Sequence, residues 1–283
     1  MKINKRKNFF TLIAAFGLIF TMTVAGCKKD KDDDVVTPEP TPVEAQKTTY
    51  NLKVKDVIGV TGTVTIAEKS SGSSESVVTL TLVGAPAGLH PAHIHMNSAV
   101  ETGAIVYSLS SVDGSGTSST TLPVSYNTLI NFDGYVNVHL DALTLGTIIA
   151  QADIGGNLMT GNSKNYTLLQ DSTSGIFGVA KFEERKNGNS LVTIDLTSGG
   201  TLPAGLYPAH INIGSVASVG TPVNRRTLNP VDGVTRIGVT NVRRLNDGAS
   251  ITYNNWLAYD GFITIYDAAN TSNIIALGNI GAN

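Results

Sequence analysis

Ser125-Tyr-Asn-Thr-Leu-Ile-Asn-Phe-Asp-Gly-Tyr-Val-Asn-Val-His139 returns later in the chain as Thr252-Tyr-Asn-Asn-Trp-Leu-Ala-Tyr-Asp-Gly-Phe-Ile-Thr-Ile-Tyr266. Each copy ends in a short alternation, which is the period of a half-buried β-strand. A second pair lies upstream: Ala87-Gly-Leu-His-Pro-Ala-His-Ile-His95 matches Ala204-Gly-Leu-Tyr-Pro-Ala-His-Ile-Asn212. Tyr50-Asn-Leu pairs with Tyr166-Thr-Leu, Gly62 with Gly178, Val112-Asp-Gly with Val231-Asp-Gly, and Ile148-Ile-Ala with Ile274-Ile-Ala. The spacing between partners drifts along the chain, as it does when insertions fall in loops. The chain therefore reads as one unit written twice.

Each unit is rich in Thr, Val, Ile, Ser and Gly. Runs such as TYNLKV, GTVTIAE, SVVTLTLV and TIIAQADI are separated by turn residues, and no window of helical length carries an apolar stripe of 3.6 period. The fold class expected is all-β: two tandem immunoglobulin-like, Greek-key β-sandwich domains over residues 48–157 and 164–283, with the seam in Gly155–Ser163. Matched Asp133-Gly134 and Asp260-Gly261 read as turns.

Ahead of the repeats lies a leader. Lys2, Lys5, Arg6 and Lys7 precede an apolar run, Phe9–Val24, too short for a membrane span. It closes on Val24-Ala25-Gly26-Cys27, which resembles the lipobox of bacterial lipoproteins. Residues 1–26 are thus expected to be removed and Cys27, the only cysteine, to be lipidated. That excludes disulfides and a cysteine nucleophile. Residues 27–47 form an acidic, Pro-rich tether: Lys28-Lys-Asp-Lys-Asp-Asp-Asp34 resembles the surface-export tag of Bacteroidetes lipoproteins. Pro38, Pro40 and Pro42 favour an extended stalk. The expected address is the outer membrane, held by the lipid; the charged run reads either as an export tag toward the cell surface or as the solvated start of the tether. Cleavage removes four of 20 Lys and Arg, leaving 16 against 22 Asp and Glu, a net of −6. Nucleic acid is not expected as a partner.

Pro91-Ala-His-Ile-His95 and Asp133-Gly-Tyr-Val-Asn-Val-His139 resemble the CHRD domain, named for chordin and also found in bacterial proteins. The second repeat is a degenerate copy, with Asn212 and Tyr266 where the first has His95 and His139. The family's "Gly-Glu-Ile-Arg-Gly-Gln" element reads Gly146-Thr-Ile-Ile-Ala-Gln151 here. The resemblance implies an immunoglobulin-like sandwich and no particular activity.

Four of the five histidines, His90, His93, His95 and His139, fall in the first repeat. Strand alternation sets His93 and His95 on one face, opposite Ile94, and Tyr135, Asn137 and His139 on one face, opposite Val136 and Val138. Exposed sheet-face histidines without a ligand are the first reading. Its rival is a copper or zinc site on His93, His95 and His139, with His90 as a fourth ligand if the Pro91 turn folds it back. The His-x-His strand with a later Val-His strand also resembles the copper site of Cu,Zn superoxide dismutases. The absence of a further histidine between Met96 and Val138, of a disulfide pair and of a bridging-histidine loop argues against that activity. If the histidines are exposed, His139→Tyr costs no more than about 1 kcal/mol. His210 is expected to hold a turn or strand by hydrogen bond.

Residues 48–157 carry three Lys against eight Asp and Glu, a balance that tolerates a cation. Arg225, Arg226, Arg236, Arg243 and Arg244 read first as solvated strand edges, with an acidic glycan or lipid headgroup as the alternative. No Gly-x-Ser-x-Gly, phosphate-binding loop or His-Glu-x-x-His is present. The sequence thus points to a non-catalytic, membrane-anchored binding or structural lipoprotein with an unknown protein or glycan ligand. The alternative is a histidine-based copper- or zinc-binding or redox protein.

Overall fold

The computed structural model describes residues 45–198, 202–218 and 222–283. The leader, Cys27 and nearly all of the tether lie outside them.

The first repeat contains β1 (Lys47–Val54), β2 (Thr61–Glu68), β3 (Ser76–Val83), β4 (His90–Met96), β5 (Ile105–Val112), β6 (Thr117–Leu122), α1 (Tyr126–Leu129), β7 (Asp133–His139) and β8 (Ile148–Gly155). The second contains β9 (Met159–Gln170), β10 (Ile176–Arg185), β11 (Ser190–Ser198), β12 (Leu206–Ile213), β13 (Asn224–Asp232), β14 (Ile237–Val242), α2 (Tyr253–Leu257), β15 (Asp260–Tyr266) and β16 (Ile274–Gly281). The all-β class holds.

Each repeat is an eight-stranded antiparallel sheet of the same order, β5-β4-β7-β8-β1-β2-β3-β6 and β13-β12-β15-β16-β9-β10-β11-β14. The sheet is pinched where β1 meets β8, at only Lys53↔Gln151 and Val54↔Ala150. Its two end strands then approach: Ser110 N donates to Thr120 Oγ1 at 2.8 Å and Ser118 Oγ to Ser110 O at 2.9 Å. Asn229 N donates to Thr240 Oγ1 at 2.8 Å in the second repeat. Each repeat is therefore a near-barrel, which leaves little free edge.

The alternation read from sequence sets the core. Tyr50, Leu52, Val64, Ile66, Leu80, Ile94, Val136 and Val138 pack inside the first sheet, and Phe182, Ile194, Ile211, Trp256 and Ile263 inside the second. The repeated Gly62 and Gly178 face the neighbouring strand so closely that a Cβ would collide with the carbonyl oxygens of Thr81 and Asp195.

Three local readings change. The opening motif begins with a helical turn, too short to print a 3.6 period but marked by its cap. Ser125 Oγ accepts from Thr128 N, and Thr252 with Asn255 forms a reciprocal capping box. Asp133-Gly134 and Asp260-Gly261 are strand starts, not turns, and neither glycine has positive φ. These glycines are needed because a Cβ would run into the rings of Phe132 and Tyr259. Finally, β9 starts within the expected seam. Met159 and Ser163 pair with Arg185 and Glu183, leaving only Gly156, Asn157 and Leu158 between the sheets. The two repeats form one compact unit.

Candidate metal centre

β4 and β7 lie side by side, with Ala92↔Val138, Ile94↔Val136, His93↔Asn137 and His95↔Tyr135 opposed. Because Ile94, Val136 and Val138 face the core, His93, His95, Tyr135, Asn137 and His139 occupy the other face, as alternation requires. The ladders slip by one residue at Ile94/His95 against β5 and at Val138/His139 against β8. Such bulges re-aim side chains, and here both fall at a histidine.

The expectation of exposure is corrected. His95 is 8% exposed and His139 6%, while His93 is half-buried. The loops Asn97–Ala104 and Asp141–Thr147 supply the partners that cover this face, a tertiary contribution invisible to strand alternation. His95 Nδ1 donates to Gly103 O at 2.9 Å, and His139 Nδ1 donates to Leu145 O at 2.5 Å. A carbonyl can only accept, so both rings carry their proton on Nδ1 and present Nε2 as a lone pair. His139 Nε2 lies 3.1 Å from His93 Nδ1. His95 Nε2 is buried and has no hydrogen-bond partner. The Tyr135 ring stacks on His95 at 4.8 Å, and its hydroxyl accepts from Gly103 N at 3.1 Å. One nitrogen from each of His93, His95 and His139 lies within 4.8 Å of the others, the one such grouping of His, Cys, Asp and Glu among the described residues.

Metal–imidazole bonds of about 2.0–2.1 Å place two nitrogens at most about 4.1 Å apart across the ion. In a tetrahedral site they sit about 3.3–3.4 Å apart. Nitrogens spread over up to 4.8 Å therefore have to close by as much as an ångström or more to grip an ion, which takes rotation of the rings and release of the His93–His139 hydrogen bond.

His90 does not join them, which corrects its reading as a fourth ligand. It is 1% exposed, with Nδ1 2.7 Å from Leu140 O and Nε2 2.8 Å from Pro86 O. Even spacing sets it on the Ala92 and Ile94 side of β4. Its counterpart Tyr207 donates to Pro203 O at 2.9 Å, the matching carbonyl of the second repeat. This position pins loops in both repeats.

The second repeat keeps the scaffold without the cluster. Asn212 Nδ2 donates to Thr264 Oγ1 at 2.9 Å, and His210 meets the Tyr266 ring of the neighbouring strand at 5.1 Å, a ring contact where a hydrogen bond to a turn or neighbouring strand is expected. Of the arginines, Arg225 pairs with Asp247 at 2.9 Å, Arg243 with Glu101 at 3.4 Å, and Arg244 Nη1 donates to Gly248 O.

No protein-family model, curated protein or solved structure matches this chain. The site therefore has to be read from its own chemistry.

Burial lowers the pKa of His93 below the ordinary value near 6.5, and the neighbouring His139 and His95 lower it further. Burial also lowers His139; its bond to Leu145 opposes this and the His95 charge adds to it. Burial alone lowers His210. The unfolded chain thus takes up protons near pH 6.5 before these folded sites do. Stability is full above that pH and is lost as pH falls through the lowered values. In metal-free protein the urea midpoint should drop between pH 7.5 and 5.5, and the drop should shrink in His93→Ala. A flat profile over that window would show that the rings are not held neutral.

His139→Tyr should now cost about 1–3 kcal/mol, more than the exposed reading allows. It removes the donor to Leu145 O and forces a larger ring into a covered site. Chemical denaturation of the two proteins measures this directly.

Proposed function

We propose that this chain is a membrane-anchored metal-binding lipoprotein whose first repeat holds copper or zinc on His93, His95 and His139. In this reading the two repeats are CHRD-like, immunoglobulin-type Greek-key units. The lipid on Cys27 and the tether display them at the outer membrane, on its outward side if the acidic run acts as an export tag. The role is binding without turnover. One observation carries the proposal: carbonyls of Gly103 and Leu145 set the tautomers of His95 and His139, leaving Nε2 of each as an acceptor in a cluster whose three nitrogens lie within 4.8 Å of one another. Such outer partners are how proteins orient imidazole ligands. Neutral imidazole suits copper and zinc, and three ligands leave a coordination position open for a small exogenous ligand.

Metal-free protein titrated separately with Cu(II) and Zn(II) should take up one equivalent of at least one of them. His95→Asn, the residue found at Asn212, should weaken binding at least about 100-fold, the upper end of what losing even an outer partner costs. Uptake well below one equivalent for both metals would end the proposal. So would full uptake by a His93→Ala/His95→Ala double variant.

A further inference from the structure

We infer that the second repeat is the anchor of the first repeat's histidine cluster: Glu101, gripped by Asn241 and Arg243, is a positioning residue for His95. The inference rests on the metal-binding reading above and concerns residues that touch no metal.

The loop Asn97–Ala104 carries Gly103, whose carbonyl fixes the His95 tautomer and whose amide holds the Tyr135 hydroxyl. A Cβ at Gly103 would collide with Met96 O, so the loop passes tightly over the end of β4. Its backbone is also strained. Asn97 has φ 69° and Thr102 φ 60°, and a β-branched residue adopts that region only when its surroundings impose it.

The loop's own bonds, Asn97 Nδ2 to Thr102 O and the Glu101 and Thr102 amides to Ser98 O, set part of that path, and the other repeat supplies the outside grip. Glu101 Oε2 accepts from Ser98 N at 3.2 Å, Ser98 Oγ at 3.0 Å and Asn241 Nδ2 at 2.9 Å. Its Oε1 lies 3.4 Å from Arg243 Nε, and the Arg226 guanidinium is near enough to feel its charge. At the loop's other end, Ala99 N donates to Asp153 Oδ1 at 2.8 Å, and Asp153 Oδ2 accepts from Arg185 Nη1 at 2.8 Å. Asn157 Nδ2 donates to Asn97 O at 2.7 Å, and Asn157 O accepts from Arg185. Asn241 and Arg243 directly at Glu101, and Arg185 by way of Asp153 and Asn157, thus brace from the second repeat a loop that sets the orientation of a ligand in the first.

The second repeat supplies the internal comparison. Val216 N donates to Asn279 Oδ1 at 2.8 Å, the counterpart of Ala99 on Asp153, but with a neutral acceptor. The repeat whose loop is gripped from outside holds the three-nitrogen cluster, while its counterpart presents Asn212 and Tyr266. The second repeat accordingly serves as a support for the first. By linkage, an ion on His95 must tighten Glu101's grip by the same factor that the grip tightens the ion.

The test uses Asn241→Ala/Arg243→Ala and the milder Glu101→Gln, which keeps the shape of the side chain and loses its charge. Imidazole ¹⁵N shifts of the metal-free protein should report His95 as the Nδ1–H tautomer in the parent and a mixture of tautomers in the double variant. Copper or zinc affinity should fall about 10-fold or more, with an altered Cu(II) electron paramagnetic resonance spectrum, and Glu101→Gln should lie between. If the double variant fails to fold, Glu101→Gln carries the test with the same readouts. Parent-like tautomer, affinity and spectrum in folded variants would overturn the inference and leave the metal site standing. A parent that binds neither metal, with the tautomer still following Glu101, would remove the metal reading and support the positioning of His95.

Discussion

Asp153→Ala is expected to cost about 3–5 kcal/mol of stability, the range for stripping the partner from a buried charge. The Arg185 side chain is fully buried, and its Nε and Nη2 have no hydrogen-bond partner. Its ionic contact is the 2.8 Å bond to Asp153, whose side chain keeps 21% exposure. Removing Asp153 leaves a guanidinium in the interior with the Asn157 carbonyl alone, and also strands the Ala99 amide. Arg185→Met should cost less, because it withdraws the charge together with the two unpartnered nitrogens and leaves Asp153 its exposure and the Ala99 bond. Urea unfolding of metal-free protein would rank the two variants. If Arg185→Met proved the more damaging, the pair would be worth more as an ion pair than its desolvation costs. Against a typical 5–15 kcal/mol for a folded domain, the Asp153 change alone could bring the protein near its threshold.

The second large effect is metal itself. An ion that binds the folded state stabilises it by about 4.1 kcal/mol at a free concentration 1,000 times Kd. For a chain of this size that raises the melting temperature by roughly 8–16 °C. The shift should vanish in His93→Ala/His95→Ala. It should also shrink on going from pH 7.5 to 5.5, because protons and metal compete for the same lone pairs. Thermal melts with and without copper or zinc decide it: an equal shift in parent and double variant would place the ion elsewhere on the chain.

Much of the cluster was legible in the residues. Alternation put His93, His95 and His139 on one side of their strands and the apolar residues on the other, and they lie so. The same parity separates His90 from them, since it shares its side of β4 with the core residues Ala92 and Ile94. The Pro91 turn suggested otherwise, and the structure resolves the conflict in favour of parity. Exposure was misjudged for a different reason. A strand's sequence tells which side a residue takes, whereas a loop such as Asn97–Ala104 owes its path to Glu101, Asp153 and partners well over a hundred residues away in the case of Asn241. The helical turns at Tyr126–Leu129 and Tyr253–Leu257 leave no periodic signal because one turn is shorter than the period's own window, although their Ser and Thr caps are present in the sequence.

By itself, the sequence determined the all-β class, the duplication, the strand faces and the grouping of three histidines, because period-two alternation and repeated motifs are local properties of the chain. Only the tertiary structure decided that the histidines are covered, which of their nitrogens bond to backbone carbonyls, that His90 is a loop pin and that the two repeats grip one another. Those outcomes depend on hydrogen bonds to backbone carbonyls and on charges far apart in the chain, and neither leaves a local pattern to read.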